Sequence, residues 1–169
     1  RLVNWDPKLS TAVSDLEVNQ LEKNGKMWFI NYQIENSRNF ILVGTTRPET
    51  LFGDTAIAIH PKNKKLNFLI GRSAIIPILK KSIPIISDTY ADPTKGSGAV
   101  KITPAHDFND FEVGKKHNLE FINIFDDKAN LNDKVPSKFK GLNRFVARKK
   151  IISELNKLKL IVKVEDNKM

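Results

Sequence analysis

A chain of 169 residues, 40% hydrophobic and 28% charged, is long enough to fold as one domain and bury about two-thirds of its unfolded surface. The absence of cysteine excludes disulfides and thiolate metal sites and fits a reducing compartment. No apolar run approaches the ~20 residues of a membrane-spanning helix, and the formal charge of +9 suits either a polyanionic partner such as nucleic acid or a lysine-rich solvated surface.

The opening "RLVNWDPKLS" is polar and lacks the apolar core of a signal peptide. A start at Arg1 and a charged ending, "VEDNKM", read as a piece excised from a longer protein. "KMWFINYQIE" (Lys26 to Glu35), rich in aromatic and β-branched residues, predicts a strand, and "FILVGTT" (Phe40 to Thr46) a second, with "ENSRN" as the hairpin turn between them. Pro48 can open a short helix or turn that Gly53 closes. "TAIAIH" (Thr55 to His60) predicts another strand, and "KKLNFLIG" a short helix stopped by Gly71. "SAIIPIL" and "SIPIISD" are apolar runs broken by Pro77 and Pro84, which suits edge or bent strands.

"GAVKIT" (Gly98 to Thr103) predicts a strand with Lys101 opposite Val100 and Ile102. "FNDFEVGKKHN" predicts a helix and "EFINIFD" a strand. The clearest helix runs from Leu142 to Lys159, with Phe145, Ile152 and Leu155 as its apolar positions, and "LIVKVE" predicts a last strand. Many short strands and few helices predict a mainly β fold, a barrel-like or strongly curved core with helices outside.

Two clusters carry chemistry. Asp107 and Asp110, three apart at a strand-to-helix corner, read either as a cap with its box partner or as carboxylates that hold a charged substrate. Lys101 leads into that corner. It reads either as a strand lysine with its head snorkelling to solvent or as a charge serving a site, and with an exposed head its loss would leave the fold intact. "TTRPETLFGDT" (Thr45 to Thr55) offers hydroxyls and an anion-binding guanidinium, or simply a polar turn. His60, His106 and His117 lack metal-ligand spacing. "GSG" lacks the rest of a P-loop, and no nucleophile sits in an elbow motif.

The segments "NWDPKLSTAVSDLEV", "TTRPETLFGDTAIAIHP", "IPIISDTYADPTKGSGAVKITPAHDFNDFEVGKKHNL" and "FINIFDD" together resemble the editing domain inserted in valyl-tRNA synthetases, class I aminoacyl-tRNA synthetases. The resemblance runs from Asn4 to about Asp127. It implies a barrel-like β fold, one editing domain over residues 1–169, and hydrolysis of threonine mischarged onto tRNA(Val). Thr45, Arg47, Thr50, Lys101, Thr103, Asp107 and Asp110 stand at family site positions. The resemblance gives Asp110 the substrate's α-ammonium group, with Lys101 near the ester or hydroxyl. A water on Thr45, Asp107 or the ribose would attack, and Arg47 and Thr50 would cradle the terminal adenosine. It further implies the acceptor end of tRNA(Val) as partner, a cytoplasmic monomer, and no cofactor for editing, with ATP and Mg confined to the parent's synthetic domain. Leucyl and isoleucyl editing domains share the "PAH" corner but typically carry another residue where Lys101 stands. A reading from a different class is a non-catalytic tRNA-binding module, based on the charge of +9.

Overall fold

The computed structural model describes residues 5–6, 11–12 and 25–166. The first segment of the resemblance, from Asn4 to Val18, lies outside the described residues except for two short paired strands, β1 (Trp5–Asp6) and β2 (Thr11–Ala12). The main sheet begins with β3 (Lys26–Ile34) and β4 (Phe40–Thr45), an antiparallel hairpin with Trp28 opposite Thr45 and Gln33 opposite Phe40. Asn36 turns the chain in the left-handed region (φ 60°), which asparagine tolerates better than most residues.

A 3-10 turn, Pro48–Gly53, then leads to β5 (Ala56–Ile59). The strands β6 (Ser73–Ile75), β7 (Ser82–Ser87) and β8 (Ala99–Ile102) follow, and β9 (Ile161–Asp166) returns at the end of the described chain. The order is β4-β3-β6-β7-β5-β8, with β9 added beside β3. Its first and last strands, β4 and β8, approach each other, and the Ser97 hydroxyl donates to the Leu42 carbonyl across the gap. The sheet is therefore nearly a closed barrel.

Pro84 explains part of that curvature. β7 pairs with β6 up to Pro84 and with β5 from Ile85 onward. The proline, which has no N–H for a ladder, stands where the strand changes partners. Gly98 (φ 82°) precedes β8, and a Cβ there would lie 2.6 Å from Asn63 Nδ2, so the close approach requires glycine.

Three sequence expectations change here. Residues 120–126 form no strand, only an isolated bridge from Phe125 to Leu131, because backbone bonds from the Ile124 amide go to His106 instead. Of "KKLNFLIG", only a 3-10 turn, Asn67–Leu69, is helical. The long helix spans Arg144–Lys157 (α2), and its buried face is Ala147, Ile151 and Leu155 rather than Phe145 and Ile152. Alanine lets α2 approach the barrel, and Phe145 instead lies under the guanidinium groups of Arg144 and Arg148. The shorter α1 (Asp110–Lys116) covers Ala56, Ala58 and Ile102 through Val113.

Candidate active site

β8 is buried on both sides, and this decides where its lysine goes. Ile102 packs under α1, whereas Ala99 and Lys101 face the barrel interior. The alternation expected from the sequence holds, but the face opposite Ile102 is not solvent. Lys101 is 7% exposed, which corrects the snorkelling reading. A charge so placed needs a partner, and Asp54 supplies it: Lys101 Nζ lies 2.6 Å from Asp54 Oδ1. The other two ammonium hydrogens go to Thr50 Oγ1 (3.0 Å) and Thr103 Oγ1 (2.5 Å).

Asp54 is fully buried. It also accepts from Thr103 Oγ1 at 2.7 Å and from Tyr32 Oη at 2.6 Å. Burial pushes its carboxyl up, while Lys101 and the two hydroxyls pull it back towards the ionised form. Burial and the Asp54 carboxylate push the Tyr32 phenol well above its usual range, so it remains a donor.

Asp110, 3% exposed, sits in the first turn of α1 without capping it; the residue ahead of that turn, Asn109, makes no side-chain cap either. Asp110 Oδ2 accepts from the Thr103 amide (2.9 Å) and Oδ1 from Tyr90 Oη (2.7 Å), and each oxygen keeps lone-pair capacity. Burial and then the neighbouring Asp107 raise its carboxyl to about 6. Asp107 is more open and accepts from the Asn109 amide at 2.8 Å, a local turn rather than a capping box.

Thr45, Arg47, Thr50, Lys101, Thr103, Asp107 and Asp110 all line one pocket of about 180 Å³, which opens where β4 meets β8. Thr45 Oγ1 accepts from the Arg47 amide at 3.0 Å. Arg47 Nη1 donates to the His106 carbonyl at 2.8 Å, joining the two corners. The Thr50 hydroxyl donates to the Arg47 carbonyl (2.9 Å), which with the Lys101 bond commits it internally. His106 is a strut: its Nε2 accepts from the Ile124 amide, and burial together with Arg47, Lys101 and Arg144 pushes it down to about 3, so it is neutral. Among the described residues, no three histidine, aspartate or glutamate side chains converge to hold a metal ion.

Sequence reasoning missed Asp54, Tyr32, Tyr90 and Glu49. Asp54 stands inside the quoted "TTRPETLFGDT", and a lysine in a doubly covered strand would have called for such a partner. Glu49, fully buried, forms a bidentate pair with Arg148 (2.7 and 2.8 Å) and fastens the 3-10 turn to α2.

A family model described as "Leucyl-tRNA synthetase, editing domain" matches residues 62–151, more than half of the sequence. The chain belongs to the aminoacyl-tRNA synthetase editing-domain family. The match includes Lys101, Thr103, Asp107 and Asp110. The chain is also similar to a valine--tRNA ligase of Pelagibacter ubique, 54% identical over 99% of this chain and 19% of the relative. A Legionella pneumophila (strain Paris) valine--tRNA ligase is 53% identical over 100% of this chain and 18% of its own length. The editing domain thus spans about a fifth of these relatives. Among solved structures, the Agrobacterium radiobacter K84 agnB2 LeuRS-tRNA-LeuAMS ternary complex matches with a TM-score of 0.66 at 21% identity, covering 92% of this chain and 22% of that one. GlLeuRS-CP1 matches at 0.64 and 12% identity, covering 83% of this chain and 99% of that one. At such identities these neighbours establish the barrel-like fold of the editing domain and nothing finer.

Proposed function

We propose that this editing domain hydrolyses the ester of threonine mischarged onto tRNA(Val). The observation that carries the reading is Asp110: a buried carboxylate with spare acceptor capacity, facing a polar pocket. An α-ammonium bound there gives Asp110 a directly bonded positive partner, through charge-assisted hydrogen bonds. A pocket of about 180 Å³ suits an aminoacyl group, since whole drug-sized ligands occupy roughly 300–1,000 Å³. The adenosine then lies outside it. Similarity to valine--tRNA ligases over nearly the full chain favours the valyl assignment over the leucyl or isoleucyl one.

Such a site has a physical purpose. A hydrophobic pocket rejects a hydroxyl isostere only about 10²-fold, a value established for valyl-tRNA synthetase against threonine rather than worked out from this chain. An aminoacyl ester is already activated, so positioning and electrostatics suffice. Asp110 holds the ammonium. Lys101, with all three N–H groups committed, acts as a fixed positive charge beneath the ester. A water between the Thr45 hydroxyl and the carboxylate of Asp107 attacks the carbonyl carbon. The acyl–oxygen bond then breaks, the water's hydroxyl stays with threonine, and its proton passes to the ribose oxygen.

The reading carries with it residues 1–169 as one domain of a longer synthetase and the acceptor end of tRNA(Val) as partner. It also carries a monomeric cytoplasmic setting, with ATP and Mg serving only the parent's synthetic domain. Among the described residues, no helix is long and apolar enough to cross a membrane. Incubating the protein with threonyl-tRNA(Val) and measuring released threonine tests the function. The rate should exceed spontaneous hydrolysis; binding without acceleration would leave only a tRNA-binding module.

A further inference from the structure

Beneath the pocket lies a second layer of polar groups that no substrate can touch. Asp54 and Tyr32 are both fully buried and neither lines the cavity. Buried polar groups in a barrel interior are costly, and an apolar pair of the same shape would pack there at less cost. These two converge instead on one object. Tyr32 Oη donates to Asp54 Oδ2, and Asp54 Oδ1 accepts from both Lys101 Nζ and Thr103 Oγ1. Thr103 in turn presents its amide to Asp110.

We propose that Asp54, held by Tyr32, is a positioning residue of the editing reaction, which pairs with the Lys101 ammonium and fixes it under the pocket. The proposal rests on the editing function above and adds to it the counter-ion that makes the lysine usable. Without Asp54, Lys101 keeps only two neutral hydroxyl acceptors, and nothing bonded to it carries the opposite charge that a buried ammonium needs. Around this lysine stand Asp54 and Arg47 from the β4–β5 connection and Tyr32 from β3. His106 and Asp107 from the corner after β8, and Asp110 from α1, complete the set. Of the three carboxylates, Asp54 alone is bonded to Lys101, so removing it leaves a charge that Asp107 and Asp110 offset only from a distance.

The test is a double-mutant cycle on threonyl-tRNA deacylation, read under single-turnover conditions from pH 6 to 9. Asp54→Asn in the otherwise native protein should slow deacylation about tenfold or more, as loss of a fixed catalytic charge does. On the residual activity of Lys101→Met, Asp54→Asn should change the rate by less than about twofold, because the residue it serves is gone. Equal losses in both backgrounds, at every pH, would overturn the proposal in favour of a structural role. Should Asp54→Asn fail to fold, Tyr32→Phe keeps the ring and removes only the donor. It should slow the native background about two- to fivefold and leave Lys101→Met unchanged, whereas equal slowing of both would again refute. A native protein that fails to deacylate threonyl-tRNA would count against the editing function alone. The proposal is then read from the side-chain nitrogen resonance of Lys101, which should shift and broaden in Asp54→Asn as the ammonium loses its fixed partner; an unchanged resonance overturns it.

Discussion

Replacing Asp110 by asparagine should make the protein more stable and useless. The carboxyl is raised from its ordinary 3.8 to about 6 by burial and by Asp107, and each pH unit of such displacement is worth about 1.4 kcal/mol. The sign follows from linkage. Below pH 3.8 the group is protonated in both folded and unfolded chains and costs nothing. Between about pH 4 and 6 the unfolded chain releases its proton more readily than the folded one. Above pH 6 the penalty is complete, about 3 kcal/mol. Asparagine mimics the protonated acid: its oxygen can accept from the Thr103 amide and its nitrogen can donate to Tyr90 Oη. Melting curves at pH 8 should therefore place Asp110→Asn above the native protein, by on the order of 6–12 °C for a domain of this size. At pH 4 most of the gap should vanish, and deacylation should be lost throughout. A variant that melts at or below the native protein at pH 8 would refute the reasoning. Loss of a helix cap would produce that result, at a cost of about 0.5–2 kcal/mol.

Lys101→Met should destabilise by about 3–5 kcal/mol as well as cut editing to a small residual rate, since it strands Asp54 without a cation; a small shift in melting would contradict the buried pair. Glu49 behaves opposite to Asp110. Burial pushes its carboxyl up, but Arg148 and then Arg144 and Arg47 hold it below the usual range, so its stabilisation is present above pH 4.5 and fades as pH falls. Glu49→Gln should accordingly cost about 1.5–3 kcal/mol at pH 7 and progressively less as pH falls below 4.5, and a difference independent of pH would argue against the ion pair. Gly114→Ala should cost about 1–3 kcal/mol in chemical denaturation and weaken editing, because a Cβ would lie 2.6 Å from Pro104 Cβ and push α1 from the corner; a neutral substitution would show the contact to be soft.

Much of the architecture was legible in the sequence because strands here follow simple rules. The β3–β4 hairpin, the Pro48–Gly53 turn and the β8-to-α1 corner are local, each marked by its own alternation, proline or glycine. What escaped depends on contacts distant in the chain. The side of β8 that carries Lys101 looks polar in isolation, and only barrel closure reveals it as interior. The phase of α2 departs from its apolar spacing for a related reason: Phe145 is the larger hydrophobe, but an exposed ring stacked with guanidinium groups satisfies it, and small Ala147 takes the close contact. Segment 120–126 has strand composition but meets His106 rather than a strand edge. Seven candidate residues could be gathered from two motifs. The partner that neutralises Lys101 required knowing that β5 lies antiparallel beside β8, with Ile57 opposite Lys101.

We propose a pocket that accepts threonine as an ester and hydrolyses it. Its most direct test compares single-turnover deacylation of threonyl-tRNA(Val) and valyl-tRNA(Val) by the native protein, with Asp110→Asn as control. The account predicts rapid release of threonine, slow release of valine because its methyl group leaves pocket hydrogen-bonding groups unpaired, and neither from the variant. Equal rates for the two esters, or undiminished threonine release by Asp110→Asn, would contradict it.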